Sequence, residues 1–386
     1  MKIALKLFLV VLGLLVLGLG LLVAAALLTE HRPAPVEPVA VACSGPGTEL
    51  AVGQPFSVLS WNTQYGASRK HRFFYDGGTV VHVPPQDVAA TMSAIERVIQ
   101  DSQAELVLLQ EIDRGSDRTQ RIDQLPPLVA AAGANCQAAT PYHKSPYVPT
   151  PAHQHLGRVD MELATLSRGS MAAGQRIQLA LLAEPRYRQV FNLKRALLTV
   201  EVPVTGWDQP LAVANTHLSA FSYGDGTHGM QVQQLADWIR ARPEGQPWVL
   251  AGDMNLLPPG FDKNSLRTES DLYAGDDNPI ELLLPLGTEV LGDQLDPRNR
   301  SYLPFGASEP DRKIDYFLVG GPIQVVEARV LSEHTSISDH LPVLARLVVG
   351  DPPPKVEEAA PQTALEALDM APAPEPPAAP LPVTVP

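Results

Sequence analysis

The chain has 386 residues, 45% of them hydrophobic, and a formal net charge of -13 at pH 7. The apolar share is ample for a sizeable buried core in one large domain or two ordinary ones. The acidic balance argues against a surface built to grip nucleic acid non-specifically, because phosphate binding relies on clusters of Lys and Arg. Part of that excess lies after Gly350, where Asp351, Glu357, Glu358, Glu366, Asp369 and Glu375 face only Lys355, so a local basic groove elsewhere is not excluded.

In chain order, the first feature is an uncharged apolar run from Leu7 to Leu28. As a helix it is long enough to cross a hydrocarbon core of about 30 Å, so residues 1–29 read as a transmembrane anchor. A cleaved secretory signal competes, with Ala24-Ala25-Ala26 as the place for cleavage, but signal cores are usually about 7–15 residues long. Lys2 and Lys6 precede the run, whereas Glu30, His31 and Arg32 follow it. The positive-inside tendency then puts the N-terminus in the cytoplasm and the rest of the chain on the periplasmic or extracellular side. Cys43 and Cys136, the two cysteines, suit a single disulfide in such a compartment if their Cα atoms approach within roughly 7 Å. Residues 30–55, rich in Pro, Ala, Val and Gly, read as an extended spacer. Residues 350–386, rich in Pro and Ala, read as a disordered tail in which only Thr363 to Met370 has helix-forming composition.

Between these, residues 56–349 alternate short apolar runs with amphipathic stretches, show no internal repeat and read as one α/β domain. Strand-like runs include Phe56 to Trp61, Leu106 to Leu109, Leu163 to Leu166, Ala196 to Val202, Leu211 to Asn215 and Trp248 to Ala251. Asp87 to Asp101 carries Val88, Met92, Ile95 and Val98 at helical spacing, with Asp87 as N-cap, and Gly229 to Arg242 is a second helix candidate. Pro141 to Asp160, with His143, His153 and His155, reads as a long loop that shapes substrate entry or is simply exposed.

Acids, amides and histidines recur where apolar strands stop, which is where a sheet can present groups to a ligand. The places are Trp61-Asn62, Gln110-Glu111, Asn215-Thr216-His217-Leu218, Gly252-Asp253-Met254-Asn255, Lys313-Ile314-Asp315-Tyr316 and Ser338-Asp339-His340. Hydrolysis of a phosphoester needs charge neutralisation at non-bridging oxygens, an oriented water and help for the departing oxygen. Glu111, Asp253 and Asp339, with the amides of Asn62 and Asn255, are hard oxygen donors that suit Mg²⁺ or Mn²⁺. His217 and His340 can hydrogen-bond or move protons near neutral pH, and Asp315 is a candidate carboxylate behind a histidine. Serine catalysis fits poorly, because the chain has no G-x-S-x-G elbow.

Taken together and in this order, the six segments resemble the endonuclease/exonuclease/phosphatase family along nearly the whole of residues 56–349. The resemblance implies a four-layer α/β/β/α sandwich with two mixed β-sheets packed face to face and the site at one edge of the sheets. It casts Asn62, Glu111 and Asp339 at the metal and His217 and His340 at the phosphate. It gives Asp253 and Asn255 the orientation or deprotonation of the attacking water, with Asp315 orienting His340. Some nuclease members carry a Tyr between the Glu and Gly-Asp-x-Asn motifs, but Tyr142 does not align securely with it. Arg168 and Arg195 are phosphate contacts by charge type, and surface ion pairs explain each equally well.

The expected activity is Mg²⁺-dependent hydrolysis of a phosphodiester or phosphomonoester by direct attack of water. Nucleic acid, a phospholipid headgroup and a soluble ester all remain open as substrates, and no obligate protein partner is implied. The competing reading is a non-catalytic envelope scaffold that keeps the fold and uses the Pro-rich segments for binding; the retained acids and histidines count against it.

Overall fold

Apolar runs that end at polar residues become strands throughout this chain, and the two long apolar periodicities become helices. The computed structural model describes residues 2–350 apart from 221–223, 267 and 274–277, so the tail beyond Gly350 lies outside the described residues. The first strands are β1 (Val36–Val39), β2 (Val41–Cys43), β3 (Leu50–Ala51), β4 (Pro55–Asn62), β5 (Leu106–Asp113), β6 (Cys136–Val148), β7 (Gly157–Ser167) and β8 (Ala172–Gln178). They are followed by β9 (Ala196–Val202), β10 (Val204–Thr205), β11 (Leu211–His217), β12 (Trp248–Asp253), β13 (Thr288–Glu289), β14 (Asp315–Gly320), β15 (Ile323–Val330) and β16 (Val343–Val349). The α-helices are α1 (Lys2–Thr29), α2 (Pro85–Ser102), α3 (Leu125–Ala132), α4 (Arg186–Gln189) and α5 (Thr227–Arg240).

Two seven-stranded mixed sheets form the centre, in the orders β1-β8-β9-β11-β12-β14-β13 and β15-β16-β4-β5-β7-β6-β2. Each contains one central parallel pair, β11 with β12 and β4 with β5. The apolar faces of β4, β5 and β7 meet those of β9, β11 and β12 in one shared core that includes Val58, Leu108, Leu198, Val213 and Val249. The buried Gln110 amide donates to the Asn215 side chain across the sheets (2.8 Å), one residue before Glu111 and two before His217. That polar pin, with Asn215 also donating to the Leu109 and Ala164 carbonyls, fixes the ends of β5 and β11 against each other.

Helix α5 turns Val232, Leu235, Ala236 and Ile239 onto the outer face of the first sheet. Helices α2 and α3 bury Val88, Met92, Ile95, Leu125 and Leu128 against the second. The layer order expected from the sequence is therefore the one observed. Helix α2 starts two residues earlier than its expected N-cap, Asp87, because Pro85 occupies the first turn, where a missing N–H is harmless. Asp87 instead binds His71 (2.9 Å) from within that turn.

Two further expectations are corrected. Residues 30–55 are extended but not a free spacer: β1 pairs with β8 in one sheet and β2 with β6 in the other. Pro38 is tolerated there because β1 is an edge strand. Pro141 to Asp160 is not a long loop, since most of it belongs to the antiparallel β6 and β7, with residues 149–156 between them. Cys43 and Cys136 are opposite each other in the β2–β6 pair and form a disulfide. Helix α1, 28 residues long, is apolar enough to cross a membrane and has no buried residue, so it stands off the domain.

Candidate active site

The site is assembled from residues where β4, β5, β11 and β12 end and where β14 begins. Parallel pairing sets β11 beside β12, and the register places His217 opposite Asp253 and Asp253 opposite Asp315. In the other sheet, Asn62 is level with Gln110. Gly252 makes the approach of β11 and β12 workable: its φ is +148°, and a Cβ there would sit 1.9 Å from the Thr216 carbonyl oxygen. Glu111 lies in a bulge of β5, where the register against β7 shifts between Leu109 and Ile112. Its φ of +61° is left-handed and costs a non-glycine residue about 1–2 kcal/mol, and the bulge turns the side chain out of the pleat.

Asp253 is the hub. Its Oδ2 accepts from the Asn62 amide (3.0 Å), while His217 Nε2 and His340 Nε2 lie 3.2 and 3.4 Å from the same oxygen. Its Oδ1 accepts the Asn255 backbone N–H at 3.0 Å. His340 Nδ1 contacts both Asp315 oxygens, at 2.9 and 3.1 Å, and the Ser301 hydroxyl donates to Asp315 at 2.6 Å. Trp61 donates its indole N–H to the His340 carbonyl (2.9 Å), tying the last motif to the first.

The two histidines are held in opposite states. Burial, with Arg195 and His340 adding to it, keeps the His217 pKa well below the usual imidazole value. Burial would also lower that of His340, but the carboxylates of Asp315, Asp253 and Asp339 raise it well above the usual value. His217 is therefore neutral and His340 cationic at neutral pH. Burial, then Asp315, pushes Asp253 up, with His340 and Asn62 opposing.

Glu111 and Asp339 complete the acidic side. Burial, then the charge of Asp339, pushes Glu111 up to about 7. Burial raises Asp339, against the pull of His340, Ser338 and Arg69. Asp76 is pushed up to about 8 by burial and then by Asp339, Glu111 and Glu269. Asp76 and Asp339, with Glu269, border a cleft that also presents Arg69, Arg72, Tyr302 and Phe305. Half-buried carboxylates close enough for the charge of Asp339 to raise the proton affinity of Glu111 and Asp76 are a fitting donor set for a hard divalent cation. Asp253, Asp315 and His340 also bring one ligand atom each within 4.8 Å of one another. Their closeness is accounted for by the hydrogen bonds through His340.

Seven of the eight sequence candidates thus gather at one sheet end. Asn255 is the exception in manner: its side chain donates to the Leu218 carbonyl (3.2 Å), bracing the residue after His217. Tyr142, which the sequence could not align, is buried with its hydroxyl 3.2 Å from His217 Nδ1. Arg195 stacks over the Tyr142 ring, 5.2 Å from its centroid, and so belongs to the site and not to a surface ion pair. Arg168 serves the fold, donating to the Ala132 carbonyl and to Gln103.

The Endonuclease/Exonuclease/phosphatase family profile matches residues 59–340. The chain belongs to that family. The endonuclease/exonuclease/phosphatase of Beutenbergia cavernae DSM 12333 is 24% identical, with a TM-score of 0.53 over 77% of this chain and 72% of that one, and shares its fold. Truncated TDP2 of Caenorhabditis elegans is 16% identical, with a TM-score of 0.48 over 77% of this chain and 98% of that one. A family protein from Leptotrichia buccalis C-1013-b is 13% identical, with a TM-score of 0.48 over 75% and 98%. No curated protein sequence matches. Members of the endonuclease/exonuclease/phosphatase family are typically divalent-metal-dependent hydrolases acting on phosphoesters.

Proposed function

We propose that the chain is a membrane-anchored phosphoesterase that uses Mg²⁺, or Mn²⁺ in its place, and attacks a phosphodiester or phosphomonoester directly with water. The observation that carries this reading is the convergence of Asn62, His217 and His340 on one oxygen of Asp253, beside the half-buried carboxylates of Glu111 and Asp339. Groups that surround a carboxylate oxygen in this way can equally surround a phosphate oxygen.

Asn62, Glu111 and Asp339 would hold the cation, which supplies neutralisation of phosphate charge and a lowered barrier for the departing oxygen. Asp253, fixed by the Asn255 N–H, orients the attacking water and takes its proton. His340, kept cationic by Asp315, faces the developing negative charge. Neutral His217, oriented by Tyr142, donates a hydrogen bond through Nε2. Attack by water makes a covalent nucleophile on the chain unnecessary.

Helix α1 serves as the anchor, and Lys2 and Lys6 in its first turns, ahead of the apolar run, favour a catalytic domain on the periplasmic or extracellular side. The Cys43–Cys136 disulfide supports an oxidising compartment. The test is hydrolysis of bis(p-nitrophenyl) phosphate by the purified chain with Mg²⁺ or Mn²⁺. Activity abolished by chelator and by Glu111→Gln is expected; a chelator-resistant activity would overturn the metal assignment.

A further inference from the structure

The catalytic end of the first sheet is also the end at which the chain arrives from α1. Across β1, β8, β9 and β11 the register steps from Val36 to Ile177, from Ile177 to Leu197 and from Leu197 to Thr216, the neighbour of His217. Three strand spacings separate β1 from β11, about 14 Å at about 4.8 Å each. The Pro35 carbonyl, just before β1, accepts from the Gln178 N–H at 2.9 Å, so pairing starts at the catalytic level.

Only residues 30–35 lie between α1 and β1. The first of them is clamped: the Glu30 side chain is 1% exposed, accepts from Arg186 (2.7 Å) and Arg32 (2.6 Å), and lies 3.5 Å from Lys194 Nζ. The Lys194 backbone N–H in turn donates to the Tyr142 carbonyl, and the Tyr142 hydroxyl meets His217. The contacts that seat the end of the apolar helix therefore run directly into the site. This clamp keeps the domain close to the point at which the helix ends.

The residues around that end are those that suit a headgroup layer. Tyr187 is 67% exposed beside Arg186 and Arg188 on α4. The tip between β6 and β7 projects beyond the catalytic level with exposed Tyr147 and half-exposed side chains of Lys144 and Arg158. Tyrosines and cations together favour the membrane–water interface, where tyrosine rings sit at headgroup level and cations meet anionic lipid. Lys144 and Arg158 share one carboxylate, Asp160, and Arg186 pairs with Glu30, so the four cations of this rim, Arg188 included, outnumber the two acids they meet.

We infer that the catalytic mouth faces the bilayer that α1 enters, and that its substrate is the phosphoester headgroup of lipids in that same membrane. This rests on the phosphoesterase reading above and narrows its substrate class. A headgroup phosphate lies within several ångströms of the hydrocarbon boundary, at a level that a domain clamped at Glu30 can reach. A long soluble polymer would have to enter between the domain and the bilayer.

The test uses the full chain reconstituted into vesicles of phosphatidylethanolamine, phosphatidylglycerol and phosphatidic acid with Mg²⁺, and measures headgroup or phosphate released into solution. It is run beside a chain with ten Gly/Ser residues inserted between Thr29 and Glu30 together with Glu30→Ala, which frees the domain on a tether of about 17 Å. Expected is lipid hydrolysis by the native chain, reduced about tenfold or more in the tethered variant, while both hydrolyse bis(p-nitrophenyl) phosphate equally. Unchanged lipid hydrolysis in the variant overturns the placement. Hydrolysis of the soluble ester or of a DNA oligonucleotide but not of lipid overturns the inference and leaves the phosphoesterase reading standing. Hydrolysis of none of them by folded chain overturns both.

Discussion

His340 Nδ1 lies 2.9 Å from Asp315 Oδ2, and that contact leaves the other ring nitrogen facing Asp253. The pair spans two loop-separated motifs and is itself fixed by Ser301, which donates to Asp315 at 2.6 Å. Asp315→Asn keeps the shape but removes the charge that holds His340 protonated. It should lower kcat about 10²–10³-fold, within the range for losing a positioned acid–base group, while thermal stability and metal binding persist. Steady-state kinetics beside thermal melts would check this, and native kcat would contradict it.

Burial, then the charge of Asp339, raises the proton affinity of Glu111. Removing one carboxylate should relieve the chain without metal and deprive it of metal. Glu111→Gln is expected to melt no lower than the native chain in chelator. It should also lose the stabilisation by Mg²⁺, which reaches about 2.7 kcal/mol at a hundredfold excess over Kd for a ligand of the folded state alone. Melting curves with and without Mg²⁺ decide it, and an undiminished shift in the variant would count against Glu111 as a ligand.

Acid sensitivity should trace in part to His143, which burial pushes down to about 3, the hydrogen bond to the Phe191 carbonyl notwithstanding. Its folded pKa lies below the unfolded value of 6.5, so the unfolded chain binds the extra proton. The contribution is therefore complete above that value and is lost as pH falls toward 3. Between pH 7 and pH 5 the native chain should lose about 2 kcal/mol through this residue, at about 1.4 kcal/mol per pH unit. His143→Gln should lose correspondingly less. Urea unfolding at the two pH values provides the comparison.

Gly252 allows β11 and β12 to close beneath His217 and Asp253, with a hypothetical Cβ only 1.9 Å from the Thr216 carbonyl oxygen. The obstacle is backbone and cannot rotate away. Gly252→Ala should destabilise by about 3 kcal/mol or more, at or beyond the upper end of ordinary overpacking, and activity should fall with it. A native melting temperature would show that the strands can separate without penalty.

The fold was legible wherever apolar runs ended abruptly. Leu106 to Leu109 and Trp248 to Ala251 announced strands, and the acids that followed them are the site. Leu163 to Leu166 announced the end of β7, but β6 was hidden because Pro141, Pro146 and scattered histidines interrupt its alternation, and Tyr142 was lost with it. Its burial comes from packing between sheets, which a local pattern cannot express. Residues 36–43 were obscured in the same way, since Pro38 signals a break but is tolerated on an edge. Arg195, following Lys194 ahead of a strand, was open between a phosphate contact and a surface ion pair; only the fold sets it over Tyr142. Glu111 was found from its motif, while the bulge that aims it left no mark in the sequence.

The central claim is tested most directly by Mg²⁺-dependent hydrolysis of bis(p-nitrophenyl) phosphate by the native chain and by Asp253→Asn. Chelator-sensitive turnover that falls at least about 10²-fold in the folded variant is expected, because the substitution removes the group proposed to take the proton from water. Equal turnover by the two chains, or none by a folded, metal-supplied native chain, would contradict the account.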